Sequence, residues 1–168
     1  MAFRFKKSRN PNGGRELVTL TFADSSTYTV GDSLKVDSSG YIDLSAGSTN
    51  VFGILVEIVK ADGSPVTDNG AAGDYVGTYT TPTSNTVQGI VDVSIDSVYS
   101  VPADATLGTT TGSDLAGYNM DVVAASDTLD ESEAVTTTAQ FFSYGPDPDS
   151  SAPSNSVLVS IQESQLKI

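Results

Sequence analysis

Residues 51–59 read VFGILVEIV and residues 17–22 read LVTLTF, and these two stretches decide the predicted fold. The first is a nearly continuous apolar run, rich in β-branched residues and containing Gly53, which favours a strand buried on both faces over a short helix. The second alternates, so that Val18, Leu20 and Phe22 fall on one face of a strand. We therefore predict a sheet with residues 51–59 as its central strand.

Similar short segments recur along the chain and are separated by turn signals rich in Gly, Asp and Ser. Val, Ile and Thr together number 44, against 12 for Leu and Met, which favours strands over helices. The spacing predicts an all-β chain, folded as a small antiparallel sandwich or barrel of short strands. The further predicted strands lie around Tyr28 and Val30, Leu34 and Val36, and Ile42 and Leu44, and at 74–80, 87–93, 118–124, 135–144 and 156–162.

Charge is distributed unevenly along the 168 residues, which carry 8 Lys and Arg against 21 Asp and Glu, a net charge of −13. Five of the cations precede Glu16, the first acid, so residues 16–168 hold three cations against 21 acids, a net of −18. We predict a flexible, extended basic arm at 1–15 and a single β-rich domain at 16–168. An alternative is that the residues after about 100 form a subdomain that faces outward. Deletion of the arm is then expected to leave the thermal unfolding of the body nearly unchanged.

The composition also limits the chemistry, because Cys, His and Trp are all absent. Their absence removes thiol and imidazole catalysis together with the commonest ligands of zinc, haem and iron–sulfur clusters. Catalysis would then need paired carboxylates. Asp92 and Asp96, predicted to point outward from one strand, would lie about 13 Å apart, too far apart for the carboxylate pair of a glycosidase. We predict that the protein is not an enzyme and has no catalytic site, cofactor or obligatory metal.

Two acidic clusters, at 127–133 and 147–149, contain the oxygen ligands that calcium prefers. Neither cluster follows the spacing of an EF-hand loop, with its Gly at the sixth position and Glu at the twelfth. Acids solvated in loops are therefore the preferred interpretation. The chain also lacks an apolar run long enough to span a bilayer, and the N-terminal MAFRFKKSRNPNGG lacks the apolar segment of a secretory signal. No membrane partner is expected.

Residues 28–44, YTVGDSLKVDSSGYIDL, followed by VFGILV at 51–56, resemble the head-decoration (capsid cement) proteins of tailed bacteriophages. In that family a short strand after Gly-Asp is followed by a turn, a second strand and an apolar strand. The resemblance covers about the first third of the body. It implies a structural virion protein, made in the host cytoplasm, that binds the outer surface of the assembled capsid and reinforces it by bridging capsomers. It also implies the major capsid protein lattice as partner, and often a homotrimer.

The basic arm is the candidate docking element, in which aromatic side chains anchor and cations meet acidic groups of the shell. The alternative is a solvated terminus that binds nothing. Nucleic-acid binding would use the same cations, but phosphate would repel a body of charge −18, so no nucleic-acid partner is expected. The predicted capsid-docking residues are Phe3, Arg4, Phe5, Lys6, Lys7, Arg9 and Arg15.

A second function remains open because Ser and Thr number 42, a quarter of the chain. A phage head fibre or surface adhesin could use many such hydroxyls to bind a host surface. That interpretation needs an exposed aromatic patch, whereas the same aromatic residues could instead belong to the core. The candidates are Tyr75 and Tyr79 on one strand face, with Phe141, Phe142 and Tyr144 elsewhere.

Overall fold

The computed structural model describes residues 3–45, 50–64, 66, 78–81, 87–104, 115–123, 128–130, 139–149 and 151–162. These residues contain no helix, and hence none long and apolar enough to cross a membrane. The prediction of an all-β fold of short antiparallel strands is confirmed. The strands are β1 Arg4–Ser8, β2 Leu17–Thr21, β3 Thr27–Thr29, β4 Ser33–Val36, β5 Ile42–Leu44, β6 Gly53–Lys60, β7 Thr78–Thr80, β8 Val87–Asp92, β9 Ser97–Pro102, β10 Asn119–Met120, β11 Phe141–Pro146 and β12 Ser156–Ile161.

The strands form three sheets. Sheet A has the order β1-β9-β12-β11-β10, sheet B has the order β2-β8-β6-β4-β5, and sheet C pairs β3 with β7. Strand β6 lies between β8 and β4, so the predicted central strand is confirmed. A parallel bridge between Phe22 and Ile42 brings the end of β2 to β5, so the two edges of sheet B meet at that point.

The alternating pattern of β2 places its apolar side chains where the sequence predicts. Phe22 is buried in a core with Tyr28, and the centroids of their rings are 4.1 Å apart, while Val18 and Leu20 pack partly buried against it. Gly89 is required beneath this aromatic pair, because a Cβ at that position would lie 2.8 Å from the Phe22 ring. This sheet B core consists of Phe22, Tyr28, Leu34, Ile42, Leu55, Ile58, Val66, Val87 and Val91.

A second core belongs mainly to sheet A. Ile54 of β6 and Val51, which precedes that strand, also belong to it. Sheet B therefore contributes to both cores. The region after residue 100 therefore packs on the first half of the chain, and it supplies β10, β11 and β12 of the five strands in sheet A. The members of this core are Phe3, Val51, Ile54, Tyr99, Val101, Ala103, Leu115, Met120, Val122, Leu129, Phe141, Val157, Val159 and Ile161.

The basic N-terminal segment differs from the extended arm that its sequence predicts. Residues 4–8 form β1 and pair with β9, and the buried Phe3 packs its ring 4.8 Å from that of Phe141. The register shifts between Phe5 and Lys7, which interrupts the alternation that would identify a strand. Two adjacent lysines at this bulge make the segment resemble a solvated terminus. The prediction of an arm separate from the body is therefore corrected for residues 3–8.

The strand predicted to run through Asp96 instead ends at Asp92, whose side chain is buried rather than directed outward. The chain turns at Ile95 and Asp96 and returns as β9, which the sequence analysis did not identify. All six residues of β9 are buried, so the strand lacks alternation, and its Ser residues resemble turn signals.

The later strands are confirmed in part. Strand β12 matches the prediction at 156–162. Strand β10 lies within the predicted strand at 118–124, and β11 overlaps the end of the predicted strand at 135–144. Strand β7 lies at the end of the segment predicted at 74–80. Residues 74–77, 124 and 135–138 of these predictions lie outside the described residues.

Candidate docking surface on the N-terminal strand

The structure separates the seven predicted docking residues into three groups. Phe3 is 5% exposed and belongs to the core of sheet A, so it cannot contact a partner while β1 stays paired. Three cations bind carboxylates of the chain itself. The cations with internal partners are Lys6, Arg9 and Arg15, and the side chains left exposed are Arg4, Phe5 and Lys7.

Lys6 joins β1 to the loop after β11. Its Nζ lies 2.8 Å from Oδ2 of Asp149 and 3.0 Å from Oδ2 of Asp147. The Asp147 side chain is only 3% exposed, whereas that of Asp149 is 43% exposed. An ammonium group from the chain therefore lies between the two carboxylates of the acidic cluster at 147–149, for which calcium binding was the less favoured interpretation.

This arrangement shifts the pKa of all three groups. Hydrogen bonds from Lys6, and then from the amide and hydroxyl of Ser151, hold the pKa of Asp149 well below its usual value. Burial raises the pKa of Asp147, but hydrogen bonds from Ser100, the Asp149 amide and Lys6 outweigh burial, so the net shift is downward. Hydrogen bonds to Asp149 and then Asp147 raise the pKa of Lys6. Each shift favours the charged form of its group.

Arg9 holds the end of β1 in place. Its Nη1 donates to the Tyr144 hydroxyl at 2.8 Å, and its Nη2 donates to the Ile95 carbonyl at 2.7 Å. The same Nη2 lies 3.4 Å from Oδ1 of Asp96, a pair in which both side chains are exposed. The Arg9 amide also donates to the Asp96 carbonyl at 2.8 Å. These contacts fix Arg9 against the turn between β8 and β9.

Arg15 forms the buried ion pair of this region. Its Nε donates at 2.7 Å to Oδ2 of Asp92, whose side chain is fully buried. The same oxygen accepts hydrogen bonds from the Tyr99 hydroxyl at 2.5 Å and the Ser97 hydroxyl at 2.8 Å, while Oδ1 accepts from the Ser94 amide at 3.0 Å. Burial, and then the adjacent Asp92 carboxylate, raise the pKa of Tyr99 far above its usual value. Asp92 thus links β8 of sheet B to β9 of sheet A.

The close approach of β6 and β8 beside this network depends on Gly53. A Cβ at that position would lie 2.5 Å from the Asp92 carbonyl oxygen and 2.5 Å from Cγ1 of Val91. A larger residue would push the two strands apart beside the buried carboxylate. The glycine that the sequence analysis noted in the apolar run at 51–59 therefore has a packing role.

One exposed apolar side chain packs on Arg15, and a second belongs to Leu17, two residues along the chain. The guanidinium carbon lies 4.6 Å from the centroid of the Phe5 ring, which is a cation–π contact, and Phe5 is 39% exposed. Leu17 is 49% exposed and is the register partner of Asp92, so both project from the same face of sheet B. Phe5, Arg15 and Leu17 together form what we call the Phe5–Arg15–Leu17 patch.

Sequence reasoning did not identify Leu17 as a contact residue. A signal was present, because Leu17 is apolar but out of phase with the inward-facing Val18, Leu20 and Phe22. An apolar residue on the solvent face of a strand is a candidate contact.

Arg4 and Lys7 lie on the other face of the edge strand. Their register partners are Ser100 and Val98, which flank Tyr99 and so project away from its face. Both cations are exposed, and neither forms an ion pair with any residue that the structure describes. They supply positive charge on the opposite face of the edge strand from Phe5.

Those aromatic residues proposed for an adhesin that the structure describes do not form one patch. Tyr75 lies outside the described residues, and Phe141 is buried in the core. Phe142 and Tyr144 pack edge to face at 5.1 Å, with Tyr144 bonded to Arg9. Tyr79 lines an open cleft of about 380 Å³ together with Lys60, Ala61, Asp62, Val66 and Val87.

Within the described ranges, no group of three or more Asp and Glu side chains could hold a metal ion. Most of the acidic cluster at 127–133 lies outside those ranges. Asp92, one of the two carboxylates considered for catalysis, is committed to its four hydrogen bonds, and Asp96 lies beside Arg9.

Comparison of the chain with protein-family models, with curated proteins and with solved structures finds no match in any of the three.

Proposed function

We propose that the chain is a structural virion protein that binds the outer surface of an assembled tailed-phage capsid and reinforces it by bridging capsomers. One observation carries the proposal: five of the eight cations lie on β1 or in the segment leading to β2, while the rest of the chain has a net charge of −18. A protein with this polarity can present its basic edge to an acidic surface and its acidic body to solvent.

The pairing of β1 with β9 changes how docking would occur. A disordered arm would lose conformational entropy on binding, whereas a strand already fixed by Lys6, Arg9 and Phe3 loses little. Binding only the assembled lattice of the major capsid protein would stabilise that state by linkage. The acidic surface that faces outward would keep decorated particles mutually repulsive.

Co-sedimentation with undecorated shells of the phage that encodes the chain tests the proposal. The variant Arg4→Gln/Lys7→Gln should bind less at low salt and lose part of its salt sensitivity, because exposed ionic contacts are screened. The matched variant Lys35→Gln/Lys60→Gln removes the same charge elsewhere and should bind as the unaltered protein does. Failure of the unaltered protein to bind shells at any salt concentration would refute the proposed function.

The second candidate function is a head fibre or adhesin module that binds a host surface. The cleft that Tyr79 lines with Val66 and Val87 favours it, because an aromatic ring beside apolar and charged side chains suits a surface ligand. Under this alternative, Tyr79→Ala should reduce attachment to host cells and leave decoration of shells unchanged. Native mass measurement would report whether the protein acts as the homotrimer that the resemblance implies.

A further inference from the structure

We propose that the Phe5–Arg15–Leu17 patch recognises a carboxylate on an acidic protein segment, with the Arg15 guanidinium as the specific contact. The inference rests on the proposed function in taking the major capsid protein as the source of that segment. It goes further by naming the contact, the chemistry of the partner and the side chains that select it.

Arg15 is held in place before any partner arrives. Its hydrogen bonding to the described residues uses Nε alone, which donates to Asp92, and the ring of Phe5 packs against the guanidinium group. The side chain is 27% exposed, and its two terminal nitrogens, which donate to none of the described residues, can donate to a ligand. A planar guanidinium binds a carboxylate through two parallel hydrogen bonds, which Lys cannot reproduce.

The buried Asp92 network makes this orientation rigid. Three further donors hold the carboxylate, so Asp92 cannot turn away from Arg15 without losing hydrogen bonds in a dry environment. Folding has therefore already ordered this long side chain, so binding a partner costs little further side-chain entropy. A fixed donor pair gains more from a ligand than a freely moving surface arginine.

The two flanking side chains indicate an apolar residue next to the carboxylate of the partner. Phe5 and Leu17 are two of the four large hydrophobic side chains that are exposed among the described residues. An arginine between apolar neighbours has the composition of an interface hot spot. A partner segment with an apolar residue beside Asp or Glu would cover both kinds of surface.

The charges around the patch favour an acidic protein segment over nucleic acid. Arg4 and Lys7 add positive charge at the same edge strand. Glu16 is exposed between Arg15 and Leu17, and the net charge of residues 16–168 is −18, so an extended polyphosphate would meet repulsion beyond the edge. A short acidic segment can stay within the positive region.

The first experiment uses nuclear magnetic resonance with a short poly-L-glutamate oligomer as the probe, since a short acidic chain can stay within the positive region, and it needs no capsid. Signals of the Arg15 Nε–H group and the Phe5 and Leu17 amides should shift on titration, and Arg15→Lys should abolish the response. The matched variant Lys35→Gln should respond as the unaltered protein does. Shifts centred on Lys35 or Lys60, or a stronger response to duplex DNA than to poly-L-glutamate, would overturn the inference.

The second experiment measures binding to undecorated shells. Leu17→Ser leaves the Asp92 network intact, so it tests the patch even if Arg15→Lys unfolds the protein. It should weaken binding about tenfold, since loss of a half-exposed Leu contact costs about 1 to 1.5 kcal/mol. Thr19→Ser, an exposed position on the same face of β2, is the matched control and should change binding less than twofold.

The two experiments separate this inference from the proposed function. If shells bind the unaltered, Leu17→Ser and Arg15→Lys proteins equally well, the patch is not the contact, and the inference fails while the function stands. If shells do not bind at all but poly-L-glutamate still shifts Arg15, the function fails while carboxylate recognition stands.

Discussion

Two of the clusters in which N-terminal cations meet acids, those of Arg15 and Lys6, differ in burial. Arg15 binds Asp92, which is fully buried and accepts three further hydrogen bonds. Lys6 binds one buried and one exposed carboxylate, since the side chain of Asp147 is 3% exposed and that of Asp149 is 43% exposed. Both pairs are short, so distance does not distinguish them. Their expected contributions to stability differ, because water screens the Lys6–Asp149 pair, whereas loss of the Arg15–Asp92 pair would leave a fully buried charge without its partner.

The comparison also shows what each cluster holds together. The Asp92 network joins β8 to β9 and therefore couples sheet B to sheet A. The Lys6 cluster joins β1 to the loop after β11, and both of these strands belong to sheet A. A change at Asp92 should therefore affect the whole molecule, and a change at Lys6 should affect the attachment of β1.

The largest effect is expected from deletion of residues 1–15, which removes β1, Phe3 and Arg15 together. From the sequence, the thermal unfolding of the body was expected to stay nearly unchanged after this deletion. From the structure, we expect a loss of stability, because Phe3 belongs to the sheet A core and Arg15 pairs with Asp92. Thermal unfolding followed by circular dichroism should show a loss larger than that of either single substitution described next. An unchanged unfolding temperature would restore the picture of a separate arm.

Asp92→Ala tests the buried cluster. It leaves Arg15, Tyr99 and Ser97 without their common acceptor, so the free energy of unfolding should fall by about 3 to 5 kcal/mol. Urea denaturation measures the change. Asp43→Ala is the control, because Asp43 lies 3.8 Å from Lys35 in a partly exposed pair and should cost about 1 kcal/mol or less. Equal losses in the two variants would show that burial does not decide the value of these ion pairs.

Phe3→Ala tests how β1 is held. The buried ring packs against Phe141 and Tyr99, so its truncation should cost about 3 kcal/mol. Phe5→Ala, two residues away and 39% exposed, is the matched control and should cost about 1 kcal/mol or less. Should the two variants unfold at the same denaturant concentration, Phe3 would not be part of the core in solution.

The smallest effect is expected from the cluster of Lys6, Asp147 and Asp149, and it should depend on pH. Because the pKa values of Asp147 and Asp149 are lowered on folding, their contribution is present above about pH 4, the ordinary Asp range, and is lost as pH falls further. Lys6→Gln should therefore be less stable than the unaltered protein near neutrality, and the difference should shrink on acidification. Because folding raises the pKa of Lys6, the stability that its ion pairs contribute is lost on the alkaline side only as the pH rises above the usual pKa of lysine.

Urea denaturation of both proteins at several pH values measures this dependence. Lys35→Gln serves as a control, because Lys35 belongs to the looser 3.8 Å pair with Asp43. A stability difference between Lys6→Gln and the unaltered protein that stays constant from neutral to acid pH would contradict the proposed role of the two carboxylates.

Patterns with a clear period were predictable from the sequence, and patterns without one were not. The alternation of Val18, Leu20 and Phe22 located β2, and the apolar run at 51–59 located β6. Strand β9 was missed because it is buried on both faces and contains Ser, and β1 was missed because a bulge and two lysines obscure it. Of the candidate site, Arg4, Phe5, Lys7 and Arg15 were named from the sequence, whereas Leu17 was not.

The sequence by itself determined the all-β class, the central strand, and the gathering of five cations before the first acid. These properties depend on composition and on local periodicity, which the linear chain records. The tertiary structure decided which of those cations form ion pairs within the chain, because that depends on the acids that folding brings near them. Asp92 and Asp149 lie 77 and 143 residues from the cations they bind, and no local pattern records such distances.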